Sequence, residues 1–210
     1  MEELTSKRSN IDNKEIKETY VIGAGGHAFS CIDIIESCGY VIKGIYGLEN
    51  DIKKKILKYE VEGTQLELSQ KINPEDNVHI AVGHTFNNKY DRADIFNLFK
   101  GKCNFPTFIS PFSYVSKSAV IGSGSIVMHG CVINADCKIG SHTILNTKSS
   151  IDHNSRVGDF SHISTSVTVN GNVVIGNNVF VGSGSILRDS INIPDNKSLK
   201  MSSNITKSVT

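Results

Sequence analysis

The chain has 210 residues, 39% of them hydrophobic and 20% charged, with a formal net charge of +1. That length holds one large domain or two small ones, and the near-neutral balance leaves no footprint for nucleic acid or a membrane surface. No apolar run approaches membrane-spanning length, and the opening MEELTSKRSN lacks the apolar core of a secretory leader. The five cysteines show no CxxC spacing and fit buried free thiols in a reducing compartment, so a cytoplasmic location is predicted.

Residues 1–17 are polar and aperiodic, which predicts a mobile tail. Thr19–Ile22 reads as a short strand running into Gly23-Ala24-Gly25-Gly26-His27-Ala28. A helix follows with Phe29, Ile32, Ile35 and Cys38 on its apolar face and Gly39 at its C-terminal end. Val41–Tyr46 and Val78–Val82 read as further strands, and Asp91–Lys100 as a helix with Ile95, Leu98 and Phe99 inward. Alternation of strand and helix predicts a small parallel α/β, Rossmann-like domain over residues 18–105.

From Ile109 the period changes. Stepping by six, every stop to Ile205 is aliphatic, seventeen in a row, and the residue two before each stop is mostly small or slim. Ile121-Gly122, Ile139-Gly140, Val157-Gly158 and Ile175-Gly176 recur every eighteen residues. Six fits neither an amphipathic helix nor a lone strand, but it fits the three-sided coils of a parallel β-helix over residues 106–210. The aliphatic residue points into the prism, the slim one packs beside it, and the glycine is expected where a corner needs an unusual backbone angle. After Ile193 the repeat degrades, with Pro194 in the glycine position and Lys197 in the slim one, as terminal coils often do.

Three groups of residues could carry chemistry. Gly23-x-Gly25-x-x-Ala28, between a strand and a helix, matches the glycine fingerprint that presents backbone N–H groups to a phosphate. The acid that would hold a nicotinamide ribose is absent, the nearest being Glu49, whereas a sugar diphosphate needs no such acid. His27 ends that loop beside the anion site. Four histidines fall in the repeat, His129, His142, His153 and His162, each at a different phase of the eighteen-residue coil, so no metal is expected. His153 follows Asp152 near a corner, where a carboxylate could orient a general base. His162 lies half a coil further on, on the other side of the prism. A closed trimer would bring the two together from neighbouring chains, which predicts an intersubunit site.

The Gly-Ala-Gly-Gly-His-Ala loop, the hexad repeat, Ile144–His153 and Val157–Ser164 together resemble the PglD/NeuD-type sugar acetyltransferases over about residues 19–205. The resemblance implies a left-handed β-helix, against the usual right-handed crossover. It also implies a homotrimer binding acetyl-CoA between neighbouring prisms, with no metal. His153 would be the general base, with Asp152 its adjacent acid. His162, Gly171 and Gly182 would contact the coenzyme, Asn146 the acceptor sugar, and Gly25, Gly26 and His27 the nucleotide-sugar phosphates. Three places depart from the family pattern. Asn154 stands where several relatives have a glutamate after the base. Tyr46-Gly47-Leu48 replaces an acidic pair that reads uracil. The last coil reads Leu199–Ser202 and lacks the closing Gly-x-Pro-Ala-Lys element. The implied reaction is N-acetylation of the C4 amine of a UDP-4-amino-4,6-dideoxy sugar for surface-glycan synthesis. O-acetylation of a sialic or nonulosonic acid is the alternative, and a non-catalytic trimeric scaffold or sugar-binding module is the alternative from another class.

Overall fold

The structure is a computed structural model that describes residues 17–84 and 92–210. All but the last residue of the expected tail, and Asp91 of the helix expected over Asp91–Lys100, lie outside the described residues. The N-terminal part runs β1 (Glu18–Ile22), α1 (Gly26–Ser37), β2 (Val41–Gly47), β3 (Lys55–Ile56), β4 (Tyr59–Thr64), α2 (Gln65–Lys71), β5 (Val78–Ile80) and α3 (Arg92–Phe99). Its sheet has the order β3-β4-β2-β1-β5, parallel except for β3, which pairs antiparallel with β4. The β3–β4 hairpin and α2 were not expected from the sequence. Their signals are present in it: Tyr59, Val61 and Gly63 alternate with Glu60 and Glu62, and Thr64 and Glu67 form a capping box.

Helix α1 buries a wider surface than its sequence suggests. Cys31, Ile32, Ile34 and Ile35 are buried, while Phe29 is 41% exposed and Cys38 only half-buried. The reason is a second neighbour: the helix packs on its own sheet and also on Phe108, Ile126, Met128 and Ile144 of the following domain. Gly39 closes it with φ +79°, the left-handed conformation glycine adopts without a side-chain penalty.

From Phe108 onward the chain is a left-handed parallel β-helix of two-residue strands stacked into three sheets of six, five and six strands. In chain order the first face carries Phe108, Ile126, Ile144, His162 and Phe180 outward. The second carries Tyr114, Val132, Ser150, Thr168 and Ile186, and the third Val120, Lys138, Arg156 and Val174. The aliphatic column from Val127 to Leu199 is the core, as the six-residue period requires. Val209 folds under the last coil, its N–H donating to the Asn192 carbonyl, so the final residues cover the open end of the column.

The recurrent glycines have a different cause from the expected one. Gly122, Gly140, Gly158 and Gly176 do not have positive φ. They are needed because a Cβ at Gly158 would lie 2.5 Å from the Gly176 carbonyl carbon, and one at Gly122 would lie 2.6 Å from that of Gly140. The left-handed position comes two residues later, at every sixth residue from Gly124 to Ser202, and at eleven of those fourteen corners it is not glycine. At ten of the eleven the N–H donates to a carbonyl one coil back, for example Asn154 to Ala135 and Ser166 to Thr147, and at Asp136 to the Ser118 hydroxyl, which offsets the roughly 1–2 kcal/mol of left-handed strain. The slim inward residues do related work. Ser125, Ser155 and Ser161 each donate to a carbonyl and accept an N–H from the next coil.

Candidate functional site

The candidate site residues fall into two groups. The first lies where the α/β domain covers the first face. Gly23, with φ +122°, turns the chain out of β1 so tightly that a Cβ would meet the Ala81 carbonyl oxygen at 2.8 Å. The loop then delivers Gly25 as the N-cap of α1, with no side-chain cap, and added side chains at Gly25 or Gly26 would meet nothing within 4 Å. Open backbone N–H groups at a helix N-terminus form an anion site. They line a cavity of about 330 Å3 whose other walls include His27, Leu48, Asp51, Lys54 and Gln65. Tyr46 does not line it. Its ring packs edge-on to Tyr20, its hydroxyl donates to Glu62, and Lys71 lies over its face.

Below this loop lies a seam of histidines. The His27 ring stands 5.8 Å from that of His162, and His27 Nε2 is buried without a hydrogen-bond partner among the described residues. His162 is only 5% exposed. Its Nδ1 accepts the His84 N–H at 3.2 Å, its Nε2 stands 3.2 Å from the Asn146 amide nitrogen, and Phe180 packs against its edge. Burial, then the nearby Arg92 guanidinium, pushes His27 down to about 4 and holds His162 well below the ordinary histidine range. His142 stacks on Phe160 at 5.1 Å and is pushed down to about 4 by the same two causes. These rings are neutral at physiological pH. They act as hydrogen-bonding and packing groups, not as cations.

The second group is exposed, at the corner between the second and third faces. His153 Nδ1 lies 2.9 Å from Asn154 Oδ1, and Gly171 sits one coil further on under the same ring. A Cβ at Gly171 would lie 2.6 Å from His153 Cε1, so glycine is what lets the imidazole lie flat there. Asp152 does not orient the ring. Its Oδ1 accepts the His153 backbone N–H at 2.8 Å and the Asn134 amide at 3.1 Å, so it fixes the turn, and Asn154 takes the orienting role expected of the acid.

The structure therefore joins Gly25, Gly26 and His27 with His162 and Asn146 on one side, and His153 with Gly171 on another. One chain does not bring His153 and His162 together. Gly182 is buried where a Cβ would strike the Lys200–Met201 backbone, so its local role is coil packing. His129 bridges Ser110 Oγ at 2.6 Å and Asp33 at 2.9 Å, clipping α1 to the first coils. Among the described residues no three His, Cys, Asp or Glu side chains converge as metal ligands would. Sequence reading missed Asp136 and the cavity residues Asp51, Lys54 and Gln65. Asp136 carried a usable signal, since it sits eighteen residues, one coil, before Asn154.

A glycine-loop α/β domain docked on one face of a left-handed β-helix defines a two-part protein with a ligand cavity close to the seam. Residues 18–97 match the PglD N-terminal domain family. Over 92% of its length the chain superposes on 93% of the acetyltransferase domain of PglB from Neisseria gonorrhoeae, with 28% identity and a TM-score of 0.83. The complex of that domain with acetyl coenzyme A gives 26% identity, the same coverage and a TM-score of 0.80. A mutant of perosamine N-acetyltransferase from Caulobacter crescentus, in complex with CoA and GDP-perosamine, shares the fold at 24% identity and a TM-score of 0.80, over 92% of this chain and 90% of that one. No curated protein sequence matches significantly. Residues 18–97 thus fall within the PglD N-terminal domain family, and the chain as a whole is similar to these acetyltransferase domains.

Proposed function

We propose that this protein is an acetyl-CoA-dependent acetyltransferase whose acceptor is the C4 amine of a nucleotide-linked 4-amino-4,6-dideoxy sugar, with UDP as the expected carrier. The observation that carries this reading is the likeness along nearly the whole chain to an acetyltransferase domain in complex with acetyl coenzyme A. The local geometry supports it. The open N-terminus of α1 suits a diphosphate, and the cavity leaves room for the rest of a nucleotide. Because Tyr46 points away from the cavity, its replacement of an acidic residue does not fill the space for a base.

In the reaction the acceptor nitrogen attacks the thioester carbonyl carbon while His153 Nε2 takes its proton. The oxyanion so formed is held by a backbone N–H, for which Gly171 is the candidate. The C–S bond then breaks, and the departing thiolate recovers the proton from His153. Gly25, Gly26 and His27 hold the phosphates, Asn146 and His162 face the reacting end, and Gly182 belongs to the coenzyme groove. Residues 18–105 and 106–210 serve as substrate domain and acyl-transfer domain, working in the cytoplasm, where acetyl-CoA is made. Among the described residues no helix is long and apolar enough to cross a membrane.

The reading requires a homotrimer, since His153 and His162 lie on different sides of one prism. The second face supports this: Tyr114, Val132 and Ile186 are exposed there without a partner domain, whereas the first face is covered by the chain's own α/β layer. Light scattering after gel filtration should give three times the 22.9 kDa chain mass; a monomer active at the same concentration would overturn the intersubunit site. Thiol release from acetyl-CoA should be seen with a UDP-4-amino sugar. Release with the GDP-linked sugar instead would move the carrier, release with sialic acid alone would convert the reading to O-acetylation, and silence with no coenzyme binding would leave a scaffold.

A further inference from the structure

We propose that Asn154 and Asp136 are positioning residues for the base, a carboxylate fixing an amide and the amide fixing the imidazole tautomer. This rests on the reading of His153 as the general base. Asp136 lies directly below Asn154 in the neighbouring coil, and its Oδ2 stands 3.1 Å from Asn154 Nδ2. A carboxylate only accepts hydrogen bonds, so the amide must turn its NH2 to Asp136 and its carbonyl to His153. That carbonyl, 2.9 Å from Nδ1, in turn accepts only from a protonated nitrogen. The imidazole is thereby held as the Nδ1–H tautomer with the Nε2 lone pair outward, the form a general base needs. Asp136 is itself anchored, its N–H donating to Ser118 Oγ at 3.0 Å one coil further back.

The backbone supports the same assignment. Asn154 and Asp136 both occupy left-handed corners, with φ of 60° and 57°, positions that Asn and Asp tolerate better than most residues. The corner thus sets the direction of each side chain before any ligand arrives. The arrangement places the negative charge one side chain away from the ring, where an adjacent acid would place it in contact. Orientation is kept, while direct stabilisation of the imidazolium is reduced.

Asn154→Gly is the first test, because glycine relaxes a left-handed corner and removes only the amide. Its kcat should fall roughly 10- to 100-fold with KM within about twofold, at an unchanged melting temperature. The swap N154D/D136N then rebuilds the same hydrogen bonds with the charge moved next to the ring. It should restore most of kcat and shift the acid limb of the pH–rate profile upward by about one unit, because a carboxylate beside the imidazolium favours its charged form. A dead His153→Ala with fully active Asn154→Gly would overturn the relay and leave the base intact. A swap with restored activity but an unmoved acid limb would also overturn it. If His153→Ala is itself fully active, the base reading fails and the relay with it.

Discussion

Two histidines nine residues apart, His153 and His162, sit in the same repeat and have opposite surroundings. His153 stands exposed at a corner, with one ring nitrogen tied to an amide and the other turned outward. His162 stands buried under the α/β layer, held at both nitrogens and packed among His27, His84 and Phe180. The two hold different places in the coil, His153 in a corner turn and His162 on a strand, and what covers each place differs as well. An uncovered corner leaves the imidazole accessible, as the proposed general base requires. A covered face turns the same side chain into a neutral, rigid contact, because burial beside the Arg92 guanidinium disfavours its charged form.

Replacing each histidine in turn breaks the comparison most directly. His153→Ala should lower turnover by about 10²- to 10⁴-fold, the usual contribution of a general base, with thermal stability and trimer unchanged. Unaltered turnover in a thiol-release assay would remove His153 from the mechanism. The seam should behave oppositely, with its largest effect on stability. His27 and His142 are pushed down to about 4, and the fully buried His79 to about 3, in each case first by burial. All three are depressed below the unfolded value of 6.5, so their stabilising effect is complete above pH 6.5 and is lost as pH falls towards 4. Each should lose about 2 kcal/mol by pH 5. A melting temperature that stays flat between pH 7 and pH 5 would contradict the burial of these rings.

His79→Leu sharpens that result. Both ring nitrogens of His79 are buried without hydrogen-bond partners among the described residues, and the ring packs edge-on to Phe108. An apolar side chain of similar size there should raise stability by about 1–2 kcal/mol at neutral pH and make the acid slope shallower by one histidine. Denaturant unfolding of this variant at pH 7 and pH 5 reads both quantities, and a loss of stability at both would show that the imidazole has a partner.

Much of this was written in the sequence, and what was not has a physical reason. The six-residue beat needs no tertiary information, since each aliphatic residue is inward by its position in the coil alone. The glycine loop is likewise local. The second buried side of α1 was hidden, because Ile34 and Cys31 share a cluster with Ile126, Met128 and Ile144, about a hundred residues away in sequence. The cause of the ladder glycines was misread for a similar reason: the obstacle to a Cβ at Gly158 is the Gly176–Asn177 backbone of the next coil, invisible to a φ argument. At the site, the sequence singles out position 153 as the candidate base, but the side chain that meets its ring was not legible. An acid at 152 and an amide at 154 flank the ring equally in sequence, and only the left-handed corner at 154 decides which reaches it.

The smallest expected effect compares the exposed corner with the seam through the backbone alone. Ser190 and Phe160 are both left-handed, with φ of 58° and 56°, and each donates its N–H to the coil behind. Ser190 is exposed, on the same edge of the prism as Asn154. Phe160 stacks on His142 and meets Phe96, and its carbonyl accepts from Arg92. Phe160→Gly should therefore relieve backbone strain but lose more in packing, for a net destabilisation of about 1–2 kcal/mol. Ser190→Gly removes the same strain with nothing to lose in contacts, and should stabilise by about 0.5 kcal/mol after the extra freedom of an unfolded glycine is counted. Opposite signs at the same dihedral, read by denaturant midpoint, would show that cover by the α/β layer separates the two corners; equal signs would mean that the coil backbone alone sets both.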